Sequence, residues 1–304
     1  MVFPKKIPIQ NWNSKISLRT PKLITFDAYN TLYATVLPVM EQYSNVASIY
    51  GVKVDPQELS ANFPSVYSKL KLEHPNYGKN TGISAKQWWQ IMITEVFKPI
   101  KLSDDVVEAI LDRFGSCEAF FVYPDLIALL KGIRQKYPDV IFGVISNADP
   151  YAGDVIKSFG LDKYFDGNIY LSYDVGFSKP DQKIYEYALD DILNRFPDLI
   201  KNCSKEEFKQ FCWHIGDEKI NDMEGPAKTG LVGILIDRVN KYGYFDGSFA
   251  DIKHDLDMHK IDNNSLESWE IGIKQTDTFQ VSDREYVISN LRTLATILDV
   301  QVNE

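Results

Sequence analysis

The residues best suited to chemistry lie at four separated points of the chain. Leu23-Ile24-Thr25-Phe26 runs into Asp27, and Val140 to Ile145 runs into Ser146-Asn147. The segment Val175 to Pro180 carries Lys179, and Phe211 to Ile215 runs into Gly216-Asp217, with Asn221-Asp222 close behind. Short apolar runs bounded by turn residues read as buried strands. Open α/β sheets collect their chemistry at the carboxyl ends of such strands. A carboxylate placed there can attack an electrophile or hold a hard cation. A neighbouring hydroxyl can donate hydrogen bonds, and an ammonium offsets anionic charge. Each residue also has a plainer reading. Asp27 could form a turn, Ser146-Asn147 could cap a helix, Lys179 could be solvated, and Gly216-Asp217 could open a loop. Their occurrence together, in order, at successive strand ends argues for one shared site.

The elements that must position these residues follow from periodicity. Strands are expected at Leu23–Phe26, Val140–Ile145, Asn168–Ser172, Phe211–Ile215 and Ile234–Ile236. Helical patterns lie between them, through Leu126–Ile133, Val155–Phe159 and Ile184–Leu189. This alternation predicts an α/β fold, a mostly parallel sheet with helices on both faces. Between Tyr33 and about Ala119 the pattern is helical throughout, with no strand expected. Val39-Met40, Tyr43, Val46-Ala47 and Tyr50 recur at helical spacing before Gly51, and Ser103 stands ahead of Asp104-Asp105 as a helix cap.

Residues 35–119 therefore read as a helical cap domain inserted between the first two site segments. The core comprises 23–34 and 120–304. Within the cap, the turn-rich loop from Glu73 to Gly82 is the part expected to move. Residues 240–283, rich in charge, Gly and Asn, read as a surface insertion, and Tyr286–Leu298 as a closing amphipathic segment.

Composition narrows the function classes. The chain has 304 residues, 44% hydrophobic and 25% charged, the balance of a folded globular protein. Its net charge of −9 disfavours nucleic acid or an anionic membrane as the main partner. Cys117, Cys203 and Cys212 have no metal-type spacing and read as reduced thiols of an intracellular protein. Residues 1–22 carry Lys5, Lys6, Lys15, Arg19 and Lys22 and no acid. That basic arm suits a mitochondrial transit peptide or a loose cytoplasmic extension equally.

The stretches Phe26–Leu32, Val144–Asn147, Gly176–Pro180 and Ile215–Gly225 resemble the four motifs of the haloacid dehalogenase-like hydrolase superfamily. Gly160–Asp166 and Tyr173–Phe177 resemble its flanks, and the nearest likeness is to the eukaryotic group of haloacid dehalogenase-like hydrolase domain-containing protein 3. The resemblance spans about Lys22 to Arg238, together with the closing helix. It implies a Rossmann-like core, a cap domain and a Mg²⁺-dependent hydrolase acting on a small phosphorylated metabolite. On that footing Asp27 is the nucleophile that forms an aspartyl-phosphate, and Mg²⁺ neutralises the two anions that must meet. Asp27, Asp217, Asp222 and the main-chain carbonyl of Tyr29 are its expected ligands. Ser146 and Asn147 belong to the phosphoryl-binding set, and Lys179 bridges nucleophile and phosphate.

The departure from the phosphatase pattern lies two residues after Asp27. A second Asp usually stands there, to protonate the leaving group and then activate water; this chain has Tyr29, followed by Asn30. A phenol of pKa about 10 does not cycle as acid and base near neutrality. Tyr in that place resembles the family's 2-haloacid dehalogenases. Those work without metal and use an early cap Arg, whereas here Asp217 and Asp222 are present and no Arg occurs between Arg19 and Arg113. Three readings stand: a slow or specialised phosphatase, a non-catalytic binding protein, and a dehalogenase. His74 is a conceivable substitute acid. Lys86, Trp88, Trp89, Tyr77, Lys79 and Arg113 are cap candidates for substrate contact by residue type, the paired tryptophans being read first as packing.

Overall fold

The computed structural model describes residues 4–7, 18–245, 273 and 275–301. Strands β1 (Lys5–Ile7), β2 (Leu23–Phe26), β5 (Ile141–Ser146), β6 (Ile169–Leu171), β7 (Cys212–Gly216), β8 (Val232–Ile236), β9 (Thr278–Ser282) and β10 (Glu285–Ile288) form one sheet. Its order is β1-β9-β10-β8-β7-β2-β5-β6. From β10 to β6 all neighbours are parallel, while β9 runs antiparallel to both β10 and β1. Helices cover both faces. Helices α5 (Pro124–Lys136), α6 (Tyr151–Ser158) and α8 (Leu291–Ile297) pack with Phe26, Phe142 and Ile215 in one core. Helix α7 (Gln182–Arg195) covers the other face, with Ile184, Leu189 and Phe208 against Leu23 and Ile145. Each such fully buried side chain contributes about 1.5–3 kcal/mol, which favours this two-sided layering over an exposed sheet.

Part of the basic arm, Lys5–Ile7, is an edge strand rather than a loose extension. Its partner, Thr278–Ser282, lies in the stretch read as a surface insertion. The cause is pairing over a separation that local periodicity does not register: a three-residue strand has no pattern of its own. Most of the insertion, residues 246–272 and 274, lies outside the described residues. The closing segment is also not one helix, because Glu285–Ile288 pairs in parallel with β8 before α8 begins at Leu291.

Between β2 and β5 the chain leaves the sheet. It does so through a small antiparallel pair, β3 (Tyr33–Thr35) with β4 (Phe120–Val122), where only helix was expected. This ribbon fixes both stems of the helical block at one point. Helices α1 (Val39–Ile49), α2 (Pro56–Glu73), α3 (Ala85–Val96) and α4 (Asp104–Phe114) then build a core of their own, with Tyr43, Trp88, Met92 and Ile110 buried. Asp55 caps α2 through the Gln57 amide, and Ser84 with Gln87 forms a reciprocal cap on α3. Ser103 occupies the N-cap of α4, but its side chain makes no capping bond.

Among the described helices none is long and apolar enough to cross a membrane. A buried ion pair ties three elements of the core together. The Arg238 guanidinium meets Asp125 in a two-point contact at 3.0 and 3.2 Å and lies 3.7 Å over the Tyr123 ring, and the Leu291 amide donates to the same carboxylate at 2.8 Å.

Candidate active site

Register decides which side chains meet. Phe26 pairs with Val144 on one side and Ile215 on the other, so the carboxyl ends of β5, β2 and β7 lie together within two residues. The Asp27 amide donates to the Ile215 carbonyl at 2.8 Å, which holds the residue at the carboxyl end of β2, between β5 and β7. After Asp27 the chain turns sharply: Asn30 adopts φ +60° and donates its amide to the Tyr33 carbonyl at 2.7 Å. That left-handed position suits Asn better than most residues.

Lys179 is buried, and its ammonium lies 2.6 Å from Asp27 Oδ1 and 2.6 Å from Asp222 Oδ1. Burial alone would lower the lysine's pKa, but Asp222 and Asp27 outweigh it and hold the ammonium above its ordinary range. The loop that carries Lys179 is braced by Asn147. Its side-chain NH₂ donates to the Lys179 carbonyl at 2.8 Å, and its oxygen accepts the Lys179 amide at 2.7 Å. Both ends of the amide are thus used on the main chain of Lys179, a positioning arrangement. The neighbouring Ser146 hydroxyl favours the ionised form of Asp27.

Asp222 sits on a π-helical turn, Lys219–Glu224, directly after β7. Its Oδ2 accepts the Glu218 amide at 2.9 Å, and Oδ1 takes both Lys179 and His214 Nε2, the latter at 3.1 Å. An ionised carboxylate can only accept, so Nε2 carries the proton. His214 Nδ1 then accepts from the Thr25 hydroxyl at 2.9 Å. Burial pushes His214 down, in keeping with this neutral form. Burial also works against the Asp222 carboxylate, but Lys179 and His214 prevail and hold it low. Gly216 is required here for space: a Cβ on it would lie 2.3 Å from the Asp222 carboxyl carbon.

Asp27, Asp217 and Asp222 bring one carboxylate oxygen each within 4.8 Å of one another. Desolvation, with the charges of Asp27, Asp222 and Glu218, pushes Asp217 well above the usual carboxylate range against a smaller pull from Lys241. Asp27 is likewise raised, burial and Asp222 outweighing Lys179. Lys179 meets both Asp27 and Asp222, whereas Asp217 has no ion pair among the described residues, so three oxygen donors this close still call for a further cation. That donor set fits a hard divalent ion.

Tyr29 is half-buried, and its ring packs edge-on against Tyr33 and Phe120, with centroids 6.3 Å away in each case. Its buried hydroxyl has no hydrogen-bond partner of good geometry, and burial pushes its pKa up to about 12. The phenol therefore keeps its proton near neutrality, and its place is that of a packing group among rings.

The turn-rich cap loop expected to move is instead tied to the core. Asn76 Nδ2 donates to the Ser172 carbonyl at 2.8 Å and Asn76 Oδ1 accepts the Ser172 hydroxyl at 2.9 Å. The Tyr77 hydroxyl donates to the Asn147 carbonyl at 3.1 Å, and Lys79 donates to the carbonyls of Tyr173 and Asp174. Trp89 Nε1 reaches across to Asp149 Oδ2 at 2.8 Å. Trp88 is buried and meets Trp89 edge-on at 4.9 Å, and both border the cavity. Lys86 pairs with Glu108 on the cap and Arg113 with Gln42 and Glu118; neither borders the cavity. His74 does border it, with Nδ1 2.8 Å from Thr81 Oγ1.

The cavity enclosed between cap and core measures about 730 Å³ and reaches Asp27, Ser146, Asn147, Lys179 and Asp217. Sequence reasoning assigned no role to His214, Thr25 or Asp149. The first two carry a readable signal: each is a polar residue within an otherwise apolar strand, and the two pair directly in register. Asp149 carries none, since its partner Trp89 is distant in the chain.

The sequence model of the haloacid dehalogenase-like hydrolases matches residues 21–230. An uncharacterized Saccharomyces cerevisiae protein, YMR130W, is 49% identical over 297 residues, 97% of this chain and 98% of that protein. Haloacid dehalogenase-like hydrolase domain-containing protein 3 of Mus musculus is 27% identical over 220 residues, 71% of this chain and 81% of that protein. The solved defluorinating L-2-haloacid dehalogenase Rha0230 shares the fold at a TM-score of 0.55 with 16% identity, over 81% of this chain and 91% of that one. The L-2-haloacid dehalogenase PA0810 does so at 0.55 with 18% identity, over 79% and 97%. The extent of the family match, over a sheet whose strand ends gather these side chains, makes the chain a member of the haloacid dehalogenase-like hydrolase family.

Proposed function

We propose that the protein is a divalent-cation-dependent phosphatase that acts slowly on a small phosphorylated metabolite through an aspartyl-phosphate on Asp27. The observation that carries this reading is the Lys179 ammonium, 2.6 Å from both Asp27 and Asp222, beside an Asp217 with no such neutralising contact. Asp27 would use its outward oxygen on phosphorus while Lys179 lowers the repulsion between anions. Ser146 would donate to a phosphoryl oxygen, and Asn147 would keep Lys179 in place through its main chain. Asp27, Asp217 and the Tyr29 carbonyl would hold Mg²⁺, with Asp222 chiefly orienting Lys179. When bound, that ion supplies charge neutralisation at the phosphoryl group.

A second reading has one observation in its favour. Tyr29 stands where a proton-transferring acid is expected, which suits a family member that binds a phosphorylated compound without turning it over. Phosphate release from acetyl phosphate in the presence of Mg²⁺ separates the two. Release that vanishes in Asp27→Asn supports the phosphatase; equal release by wild type and Asp27→Asn refutes catalysis by that residue. Chloride release from 2-chloropropionate in the presence of EDTA would instead favour a dehalogenase.

A further inference from the structure

The cavity constrains what can leave phosphorus. Its cap wall is made mainly of aromatic and aliphatic side chains, among them Tyr43, Phe63, Tyr67, Ile93, Ile110 and Phe114. The cation of that wall, Lys71, already lies 5.4 Å over the Tyr67 ring. A sugar or a second phosphate placed there would exchange its hydration for few polar groups, among them Lys71, His74 and Asn76. An aromatic or bulky aliphatic body would gain burial.

Proton supply is the second constraint, and it is independent of the first. Tyr29 keeps its proton near neutrality. Asp149 has Oδ1 on the Tyr151 amide at 2.8 Å and Oδ2 on Trp89 Nε1 at 2.8 Å, so both oxygens act as acceptors. Asp237 is held in the same way by the amides of Lys241 and Tyr242, at 2.6 and 3.0 Å. His74 belongs to the cap and is engaged with Thr81. An alkoxide, whose conjugate acid is far weaker than a phenol, leaves poorly without a proton. A phenolate, with a conjugate acid near 10, or a carboxylate, near 4, needs none.

We infer that the cavity takes an aromatic or bulky apolar body bearing its phosphoryl group on an acidic oxygen, phenolic or carboxylic. This inference rests on the phosphatase reading and adds the leaving group to it. In the first step an Asp27 oxygen forms a bond to phosphorus. The bond from phosphorus to the leaving oxygen breaks, and that oxygen departs with the electron pair as phenolate or carboxylate. In the second step water attacks phosphorus, the bond to Asp27 breaks, its carboxylate is restored, and the water proton passes to solvent.

The test is kcat/KM of the full chain with Mg²⁺, which reports only steps up to departure of the leaving group, with Asp27→Asn as background. Phenyl, 4-nitrophenyl and 1-naphthyl phosphate are compared with glycerol 1-phosphate, and benzoyl phosphate with acetyl phosphate. We expect 1-naphthyl to exceed phenyl phosphate about tenfold through burial alone, since their leaving groups are similarly acidic. Phenyl should exceed glycerol 1-phosphate by at least about 10²-fold, and 4-nitrophenyl should exceed phenyl, as required where no acid assists. Preference for benzoyl over naphthyl phosphate, or the reverse, assigns the oxygen as carboxylic or phenolic. Glycerol 1-phosphate within about threefold of phenyl phosphate means that a proton is supplied. That result overturns the inference and leaves the phosphatase standing. Turnover of none of the six above the Asp27→Asn background overturns both.

Discussion

Replacing Lys179 by Met isolates the charge balance on which the site depends. The side chain keeps its approximate length, but Asp27, Asp217 and Asp222 lose the cation between them. The Lys179 and Asp222 side chains are 2% and 1% exposed, so water cannot take over the role. At 2.6 Å and an effective dielectric near 20, each of the two contacts has a gross attraction of about 6 kcal/mol. Burial of the ions offsets most of that. Breaking a buried pair from one side typically costs about 3–5 kcal/mol net, because the remaining charge is left uncompensated. For a chain of this size that corresponds to a fall in Tm of roughly 10 °C in EDTA.

The pH dependence provides a sharper check. Asp222 is held below its ordinary value, so its contribution is present above the unfolded pKa and lost as pH falls through the folded one. Without Lys179 that contribution disappears, and Asp27, already raised by burial, rises further. A carboxyl raised in the folded state destabilises increasingly as pH rises through its folded value. The deficit of Lys179→Met against wild type should therefore be largest near pH 8 and narrow toward pH 5. Thermal unfolding at both pH values measures it. A fall in Tm below about 3 °C at pH 8, or a deficit that widens at pH 5, would show that the three carboxylates do not share this lysine's charge.

Further outcomes follow from the same geometry. Mg²⁺ at about 100 times its Kd should stabilise wild type by about 2.7 kcal/mol, and Asp217→Asn should lose most of that gain in a thermal shift assay. Tyr29→Phe should change phosphate release by less than about threefold and stability by less than about 1 kcal/mol, since the hydroxyl has no partner of good geometry; a large loss would mean that the phenol takes part after all. Arg238→Met should cost about 3–5 kcal/mol in urea unfolding, because Asp125 is buried and would keep only the Leu291 amide of its present partners.

The family and the parallel core were legible in the amino-acid order because each depends on short-range pattern. An apolar run followed by Asp27, Ser146 or Gly216-Asp217 announces a strand end whatever lies beside it, and the helical spacing through Tyr43 and Trp88 announces a separate helical block. What the order could not determine was pairing between distant segments. Lys5–Ile7 and Thr278–Ser282 become strands only by meeting each other, and Tyr33–Thr35 only by meeting Phe120–Val122. The site divides along the same line. Residue types announced a carboxylate, a lysine and a second pair of acids. Tertiary structure alone decided that Asp222 is occupied by Lys179 and His214, that Asn147 braces the lysine's main chain, and that Tyr29 is packed among rings. Hydrogen bonds and charge fall off within a few ångströms, so their pattern depends on distances in space, which separation along the chain does not encode.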